Sequence, residues 1–281
     1  MRKTSPFLLC GPVLAIYAVL LAVPLAMTVL LSFNSYSNRL GIVLTWDLRN
    51  YAEVLSDSYF LRIFGRTLEL ALSVTLISVA IGAPEAWIIS RLTPRWRTFA
   101  LLVVLGPLLV SVVVRTLGWT ILMGGSGLLN QGFAALGLPR ANMLFSLPGV
   151  GIALTHVLVP FMVLAVWTAL QHVDPATENA AASLGASPAQ VFLRVVLPQA
   201  MPGVLSGSII VFSLAASAFA TPALIGGRRL KVAATAIYDE FLASLNWPLG
   251  AAIAVLLVVS VVAIVLLWNR LVERRFAAMA P

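Results

Sequence analysis

The sequence predicts an all-α integral membrane protein with six transmembrane helices, and three observations support this fold class. Hydrophobic residues make up 60% of the 281 residues and charged residues only 10%, whereas a soluble domain has about 25% charged residues. The mean hydropathy is +1.01, which indicates the bilayer core as the solvent. Six apolar segments are each long enough to cross it, because a spanning helix needs about 20 residues. A single soluble domain is therefore excluded.

The six predicted spans lie, within a few residues, at 7–31, 63–90, 99–122, 147–170, 204–225 and 249–271. Together with their loops they form a single transmembrane domain over residues 1–281. The first span is longer than the apolar region of about 7–15 residues in a signal peptide, which predicts a helix that stays uncleaved. The segment 34–62 carries acidic residues and is expected to be an outer, partly folded loop.

The positive charge of the chain, a formal +8 from 18 Lys and Arg residues, is scattered rather than gathered in a stripe. Anionic lipid headgroups and the positive-inside bias explain this distribution, and a nucleic-acid partner is not expected. The short loop RLTPRWR at 91–97 gives the strongest cytoplasmic signal. An even number of spans then places both termini in the cytoplasm.

The segment 171–203 between the fourth and fifth spans predicts two short helices. Asp174 is a good N-cap for the first helix, and Gly185 is suited to the left-handed position just after its end. Ser187, Pro188 and Gln190 form a capping box that starts the second helix, and Pro198 is expected to end it. Each helix would have about ten residues and a length of roughly 15 Å.

Residues 179–198, NAAASLGASPAQVFLRVVLP, resemble the Glu-Ala-Ala loop of permease subunits in binding-protein-dependent ABC importers. The residues on the positions of that pattern are Ala180, Ala181, Gly185, Val195, Leu197 and Pro198. Asn179 stands where the pattern has Glu, with Glu178 one residue earlier. Four other segments are similar to the polyamine-type branch: PFMVL at 160–164, VRTLGW at 114–119, TPALIGG at 221–227 and NWPLGAA at 246–252.

The resemblance implies a type I ABC importer permease fold in the bacterial inner membrane, with a cytoplasmic coupling helix set against an ATPase. It implies a second, related permease, an ATPase dimer and an extracytoplasmic solute-binding protein as partners, beside membrane lipids. ATP and Mg would be bound by the ATPase, since neither Lys3 nor Lys231 lies in a P-loop. This chain would hold no metal and catalyse no reaction. The residues expected to couple it to the ATPase are Glu178, Asn179, Ala180, Ala181, Gly185, Ala186, Ser187, Pro188, Phe192, Leu197 and Pro198.

The resemblance implies that the fifth span lines the solute path, and hydroxyl side chains recur every four residues in this span. Ser213, Ser217 and Thr221 would share one helical face, although helix–helix packing by small residues explains such a stripe equally well. Some members of the branch carry an acid where this chain has Ala218, and a diamine needs negative charge on its path. The other candidates for the path are Arg115, Trp119, Asp239 and Glu240.

Glu85 is an acidic residue inside the second span, and two readings of it stay open. Ionised groups within a span are costly and usually face a cavity or a partner, which favours a role in transport. Glu85 also lies near the cytoplasmic end of its span. It could therefore simply pair with Arg91 or snorkel toward the membrane surface.

The enzymatic alternative is an intramembrane serine protease. Gly124-Gly125-Ser126-Gly127 resembles the G-x-S-G sequence of rhomboid proteases, with His156 as the base. In rhomboids the histidine lies two spans after the serine, whereas His156 lies in the very next span. A glycine-rich outer turn explains Ser126 more simply.

Overall fold

Helices make up most of the chain. The computed structural model describes the backbone of residues 6–277 and the side chains of residues 11, 13 and 15–270. Two short strands, β1 (Ser35–Ser37) and β2 (Gly41–Val43), pair antiparallel. The helices, in chain order, are α1 (Pro6–Ser32), α2 (Arg49–Ser56), α3 (Ser58–Arg91), α4 (Pro94–Leu105), α5 (Val112–Leu122), α6 (Leu128–Ala135), α7 (Leu147–Leu170), α8 (Pro175–Ser183), α9 (Pro188–Val191), α10 (Leu197–Gln199), α11 (Met201–Ala216), α12 (Ala233–Leu242) and α13 (Trp247–Ala277).

Up to six segments in the described part of the chain are long and apolar enough to cross a membrane. Four are single helices: residues Ala15–Ser32 of α1, the whole of α3, the whole of α7, and Trp247–Arg270 of α13. Two more are pairs of helices joined at a sharp bend. The bend is 95° between Pro94–Leu109 and Val112–Leu122, and 75° between Pro188–Gln199 and Met201–Ala216. Counting each bent pair once gives the predicted number of six. The second pair differs from the predicted fifth span, because it begins at Pro188, within the predicted loop 171–203, and ends at Ala216 rather than at 225.

The described part of the chain forms two compact units, one made of the described residues up to Arg62 and from Ala236 onward, the other of Ile63–Thr235. In the first unit α1 packs along α13. The predicted folded segment after α1 contains the β1–β2 hairpin and α2. The buried amide of Asn50 donates to the carbonyls of Ser32 at 2.8 Å and Asn34 at 2.7 Å, which satisfies backbone acceptors at the end of α1.

In the second unit α7 packs closely against α11, and two glycines of α11 allow this approach. A Cβ on Gly203 would lie 2.5 Å from the Cβ of Ala169 and 2.6 Å from the backbone oxygen of Ala165. A Cβ on Gly207 would lie 2.7 Å from Sδ of Met162. Small residues at a helix contact let two backbones come together, as is typical of helices packed in membranes.

The predicted third and fifth spans contain breaks that the sequence analysis did not foresee. After α4 the chain forms a 3₁₀ turn at Gly106–Leu109 and bends before α5. After α11 it leaves the helix at Ser217 and forms a π-helical turn at Pro222–Gly226. Pro107 and Pro222 lie in these turns, and proline lacks the N–H that a continuous helix would require there.

Candidate functional site

The caps predicted for the loop between α7 and α11 are confirmed. The carboxylate of Asp174 accepts a hydrogen bond from the backbone N–H of Ala176 at 2.8 Å, at the start of α8. The capping box of α9 is complete: Ser187 N–H donates to Oε1 of Gln190 at 2.9 Å, and Gln190 N–H donates to Oγ of Ser187 at 3.4 Å. Each of the two helices therefore begins at the residue whose side chain caps it.

Gly185 makes the turn between α8 and α9 with a φ of +87°. Its N–H donates to the carbonyl of Ala182 at 2.9 Å, and the N–H of Ala186 donates to the carbonyl of Ala181 at 3.1 Å. These two bonds form the Schellman pattern that ends a helix with a left-handed residue. Nothing lies within 4 Å of a Cβ built on Gly185, so a side chain here is disfavoured by its backbone conformation alone.

The second helical segment ends at Gln199, one residue after the predicted end at Pro198. Helical structure runs from Pro188 and includes a π-helical turn at Phe192–Val196, which the sequence did not predict. In this wider turn the N–H of Leu197 bonds to the carbonyl of Phe192, five residues back. The change of register lets the helix pass the missing donor of Pro198.

The carboxylate of Glu178 contacts two residues near the end of α3 in the same chain. Its carboxylate forms an ion pair with the guanidinium of Arg91, and the indole N–H of Trp87 donates to Oε2 of Glu178 at 3.3 Å. The guanidinium also stacks over the Trp87 ring, 4.7 Å from its centroid. The alternative that Glu85 pairs with Arg91 is therefore wrong, since Arg91 pairs with Glu178. The alternative that Glu85 snorkels toward the membrane surface stays a prediction. The sequence did not indicate Trp87 or the pairing of Arg91 with Glu178, because these partners lie about ninety residues apart in the chain.

Most of the other residues predicted to couple the chain to an ATPase face outward. Phe192 is half-buried and stacks against Trp87 with ring centroids 5.1 Å apart, and Ala181, Ala186 and Leu197 are also half-buried. The exposed members are Asn179, Ala180, Gly185, Ser187, Pro188 and Pro198. Leu184 was missed: it is 89% exposed at the tip of the loop. The sequence does contain a signal for Leu184, since it is a large apolar residue directly before the glycine that makes the turn.

A cleft of about 490 Å³ opens between α3, α4, α5 and α7. Its polar lining residues are Glu85, Trp119, Thr155 and His156. The remaining wall is apolar and consists of Ile77, Ile81, Val103, Val104, Pro107, Ile152, Val159 and Pro160. Of the residues predicted for the solute path, Trp119 lies here.

Trp119 and His156 contact each other in the wall of this cleft. The indole N–H donates to Nδ1 of His156 at 3.3 Å, and the two rings meet edge to face with centroids 5.6 Å apart. A protonated imidazole carries hydrogen on both nitrogens and cannot accept at Nδ1. This hydrogen bond therefore corresponds to the neutral ring with hydrogen on Nε2.

Arg115 lies one helical turn before Trp119 on α5 and is not among the residues that line the cleft. Its Nε and Nη1 atoms are buried and have no hydrogen-bond partner in the described part of the chain. Thr155 lines the cleft, and its buried hydroxyl likewise makes no hydrogen bond to a described residue. A role for Arg115 in solute passage stays a prediction.

The hydroxyl stripe of the fifth span is not one helical face. Ser213 is half-buried on α11, and Ser217 is exposed just after the helix, where its hydroxyl donates to the carbonyl of Ser213 at 2.8 Å. Thr221 is only 1% exposed, and its hydroxyl lies 3.1 Å from that of Thr116. The expected common face is wrong because the helix ends at Ala216. None of the three lines the cleft.

Asp239 and Glu240, the acidic candidates near the last span, belong to α12 in the other compact unit. The carboxylate of Glu240 accepts a hydrogen bond from the hydroxyl of Ser244. The backbone carbonyl of Asp239 accepts from the N–H of Ala243 at 2.8 Å. Their part in a solute path stays a prediction.

Ser126 and His156 are not joined by a hydrogen bond within the described residues. Ser126 is exposed in the turn before α6, and its carbonyl accepts from the side chain of Gln131 at 2.9 Å. Nδ1 of His156 is occupied by Trp119. A nucleophile and its base lie within hydrogen-bond reach in most serine hydrolases, so no feature of this geometry favours a protease.

Comparison with known proteins gives the family. Residues 89–278 match the family described as the binding-protein-dependent transport system inner membrane component. The chain belongs to this family. The spermidine/putrescine transport system permease protein PotB of Haemophilus influenzae is 30% identical to it over 233 residues, which cover 81% of both chains. PotB of Escherichia coli is 30% identical over 230 residues, covering 81% of this chain and 83% of the relative.

A solved structure shows the same fold. A chain from the crystal structure of a bacterial alginate ABC transporter, in complex with an alginate pentasaccharide-bound periplasmic protein, superposes with a TM-score of 0.79 at 19% identity. The alignment covers 97% of this chain and 95% of that one. The predicted fold of a type I ABC importer permease and the resemblance to the polyamine-type branch are thus confirmed.

Proposed function

We propose that this chain is one of two permease subunits of an ATP-driven importer in the bacterial inner membrane. The second subunit is a related permease, an ATPase dimer lies at the cytoplasmic face, and a solute-binding protein delivers solute from outside. Both chain termini lie in the cytoplasm. ATP and Mg are bound and used by the ATPase. The family match over residues 89–278 is the observation that carries this proposal.

The loop at 171–203 is the surface that docks on the ATPase. Its two helices are held by their own caps, by the Gly185 turn and by the Glu178–Arg91 ion pair. The loop tip therefore stays ordered while its outer residues remain exposed. Leu184 is the most exposed of these apolar residues, and burying a leucine contributes about 1.5–3 kcal/mol. We assign it to the groove of the ATPase.

The solute is a small polar organic compound with amino groups. The relatives from Haemophilus influenzae and Escherichia coli are named for spermidine and putrescine transport and match most of this chain. A cleft of about 490 Å³ has the size of a small-molecule site, for which about 300–1,000 Å³ is usual. Its mainly apolar wall suits the methylene chain of such a compound.

The experiment is reconstitution of the assembled importer in proteoliposomes, with ATP hydrolysis and putrescine uptake measured with and without loaded binding protein. We expect Leu184→Asp to lower the amount of ATPase that copurifies by about ten-fold or more, the effect of losing one buried leucine. Leu136, which is 75% exposed after α6, gives the matched control, and Leu136→Asp should retain the ATPase. Full retention of the ATPase by Leu184→Asp would show that the loop tip is not the docking surface.

A further inference from the structure

Glu85 is a carboxylate within an apolar helix, and its surroundings leave it available to a ligand. It lies six residues before the end of α3, or about 9 Å along the axis. It lines the cleft and forms neither an ion pair nor a hydrogen bond with another described residue. An ionisable side chain inside a span is costly unless it faces a cavity or a partner. Glu85 lines this cleft and also a second cavity of about 680 Å³ between α3 and α4, so its side chain faces open space rather than packed protein.

Glu85 is also the one acidic side chain among the residues that line the cleft. His156 contributes no positive charge, because its Nδ1 accepts the hydrogen bond from Trp119. Arg115 stands outside the lining. When ionised, Glu85 gives the cleft wall a negative group, which favours a cationic over an anionic solute.

The other residues that line the cleft around Glu85 suit an organic cation with a hydrocarbon chain. Trp119 supplies an aromatic ring, which attracts an organic cation through its π-face. Thr155 supplies a hydroxyl that is buried, with the residue 5% exposed, and still lacks a hydrogen-bond partner among the described residues. A hydroxyl oxygen can accept from an ammonium group. Ile77 and Ile152 extend the wall as apolar surface for a hydrocarbon chain.

We propose that the cleft between α3, α5 and α7 binds an ammonium group of the transported solute against the carboxylate of Glu85. The inference rests on the proposed function and names the residue that gives the path its charge selectivity. Some members of the branch carry an acid where this chain has Ala218. In this chain the negative charge that a diamine needs on its path comes from Glu85 on α3 instead. The headgroup of an aminophospholipid carries the same ammonium chemistry, so the experiment must separate solute from lipid.

The test compares wild type, Glu85→Gln, Glu85→Asp and Glu69→Gln in the reconstituted importer. The readout is the number of putrescine molecules imported per ATP hydrolysed, at saturating loaded binding protein. Glu69 lies on the same helix and is exposed, so Glu69→Gln is the matched control and should import like wild type. Glu85→Gln should lower the ratio about ten-fold, the effect of losing one charge-assisted contact, and Glu85→Asp should restore part of it.

Removal of an ionised group favours membrane insertion, so failure to fold is not the expected cause of a loss in Glu85→Gln. The measurements are made in vesicles of phosphatidylglycerol and phosphatidylcholine, then repeated with phosphatidylethanolamine. A loss in both lipid mixtures supports the solute site. A loss confined to vesicles with phosphatidylethanolamine assigns the ammonium to lipid and overturns the solute site.

Two further results would overturn the inference in different ways. If Glu85→Gln imports putrescine at the wild-type ratio, Glu85 does not hold the solute. If loaded binding protein stimulates ATP hydrolysis by the wild-type complex, but only with a solute that has no amino group, the site is wrong while the permease function stands. Absence of any stimulated hydrolysis would instead contradict the proposed function itself.

Discussion

Glu178 on α8 forms an ion pair with Arg91 at the end of α3, and this contact ties the loop to the helix that carries Glu85. The Glu178 side chain is 15% exposed and the Arg91 side chain 47% exposed. Trp87 donates to the same carboxylate at 3.3 Å. The carboxylate of Glu178 is thus bound by residues of its own chain. Asn179, which stands where the family resemblance expects an acid, is exposed.

We expect Glu178→Gln and Arg91→Glu each to lower solute-stimulated ATP hydrolysis of the assembled complex. Each change removes an ion pair that fixes α8 against α3. Because Arg91 is half-exposed, the pair contributes about 1 kcal/mol, which corresponds to about a five-fold change in the fraction of ordered loops. The measurement is the hydrolysis rate of the reconstituted importer with loaded binding protein, together with the amount of ATPase bound.

The charge swap is the control for this ion pair. The double variant Glu178→Arg, Arg91→Glu restores the attraction with the charges reversed and should recover a large part of the stimulated rate. Arg95 lies close by in the chain and is exposed, so Arg95→Glu should have a smaller effect. If the loss of stimulated ATP hydrolysis in the double variant equals the combined losses of the two single variants, the ion pair does not position the loop.

Substitution of Gly185 should weaken coupling without loss of membrane insertion. At φ +87° an L-residue is strained, and the left-handed conformation costs about 1–2 kcal/mol. Gly185→Val should therefore lower stimulated hydrolysis about five- to thirty-fold, with a smaller loss for Gly185→Asn, because Asn tolerates this conformation better. Gly65 on α3 has open space around it, and Gly65→Ala should be neutral. A Gly185→Val complex with normal stimulated turnover would refute the role of this turn.

The features that the sequence predicts best are those that neighbouring residues determine. The caps at Asp174 and Ser187 and the turn at Gly185 each involve side chains and backbone groups at most five residues apart. Their chemistry is therefore visible in a short window. The number of spans is equally accessible, since it depends on the length of apolar runs.

What the sequence could not predict depends on distant partners. Arg91 has an acid at i−6, Glu85, yet it pairs with Glu178 because α8 folds back onto the end of α3. Thr221 continues a pattern of hydroxyls every four residues, yet the break after Ala216 turns it toward Thr116, 105 residues earlier in the chain. In both cases tertiary packing overrides a valid local expectation.

The buried position of Thr221 predicts that cysteines along the fifth span will not react alike. The single cysteine, Cys10, is first replaced by Ser. Ser217→Cys, at an exposed position, should react readily with a water-soluble thiol reagent if it faces the solute path. Thr221→Cys, at a position 1% exposed, should react at least about ten-fold more slowly, because reaction requires access to the thiolate.

Labelling after denaturation in detergent provides the control, since both cysteines should then react equally. Repeating the measurement in an ATP-trapped complex tests whether access changes during the transport cycle. Equal and rapid labelling of Ser217→Cys and Thr221→Cys in the native complex would contradict the buried Thr116–Thr221 contact. Protection of Ser217→Cys in every state would show that the solute path does not extend from the cleft to Ser217.

The close packing of α11 on α7 predicts different costs for two glycine substitutions. In Gly203→Ala the new Cβ meets the backbone oxygen of Ala165 at 2.6 Å, and backbone cannot move without shifting a helix. In Gly207→Ala it meets Sδ of Met162 at 2.7 Å, the flexible end of a side chain that can adopt another rotamer. We expect Gly203→Ala to destabilise the assembled complex by about 1–3 kcal/mol and Gly207→Ala by less.

Thermal unfolding of the purified complex measures both, with Gly118→Ala as the control because its surroundings are open. A Gly207→Ala complex that unfolds at a lower temperature than Gly203→Ala would contradict this helix contact.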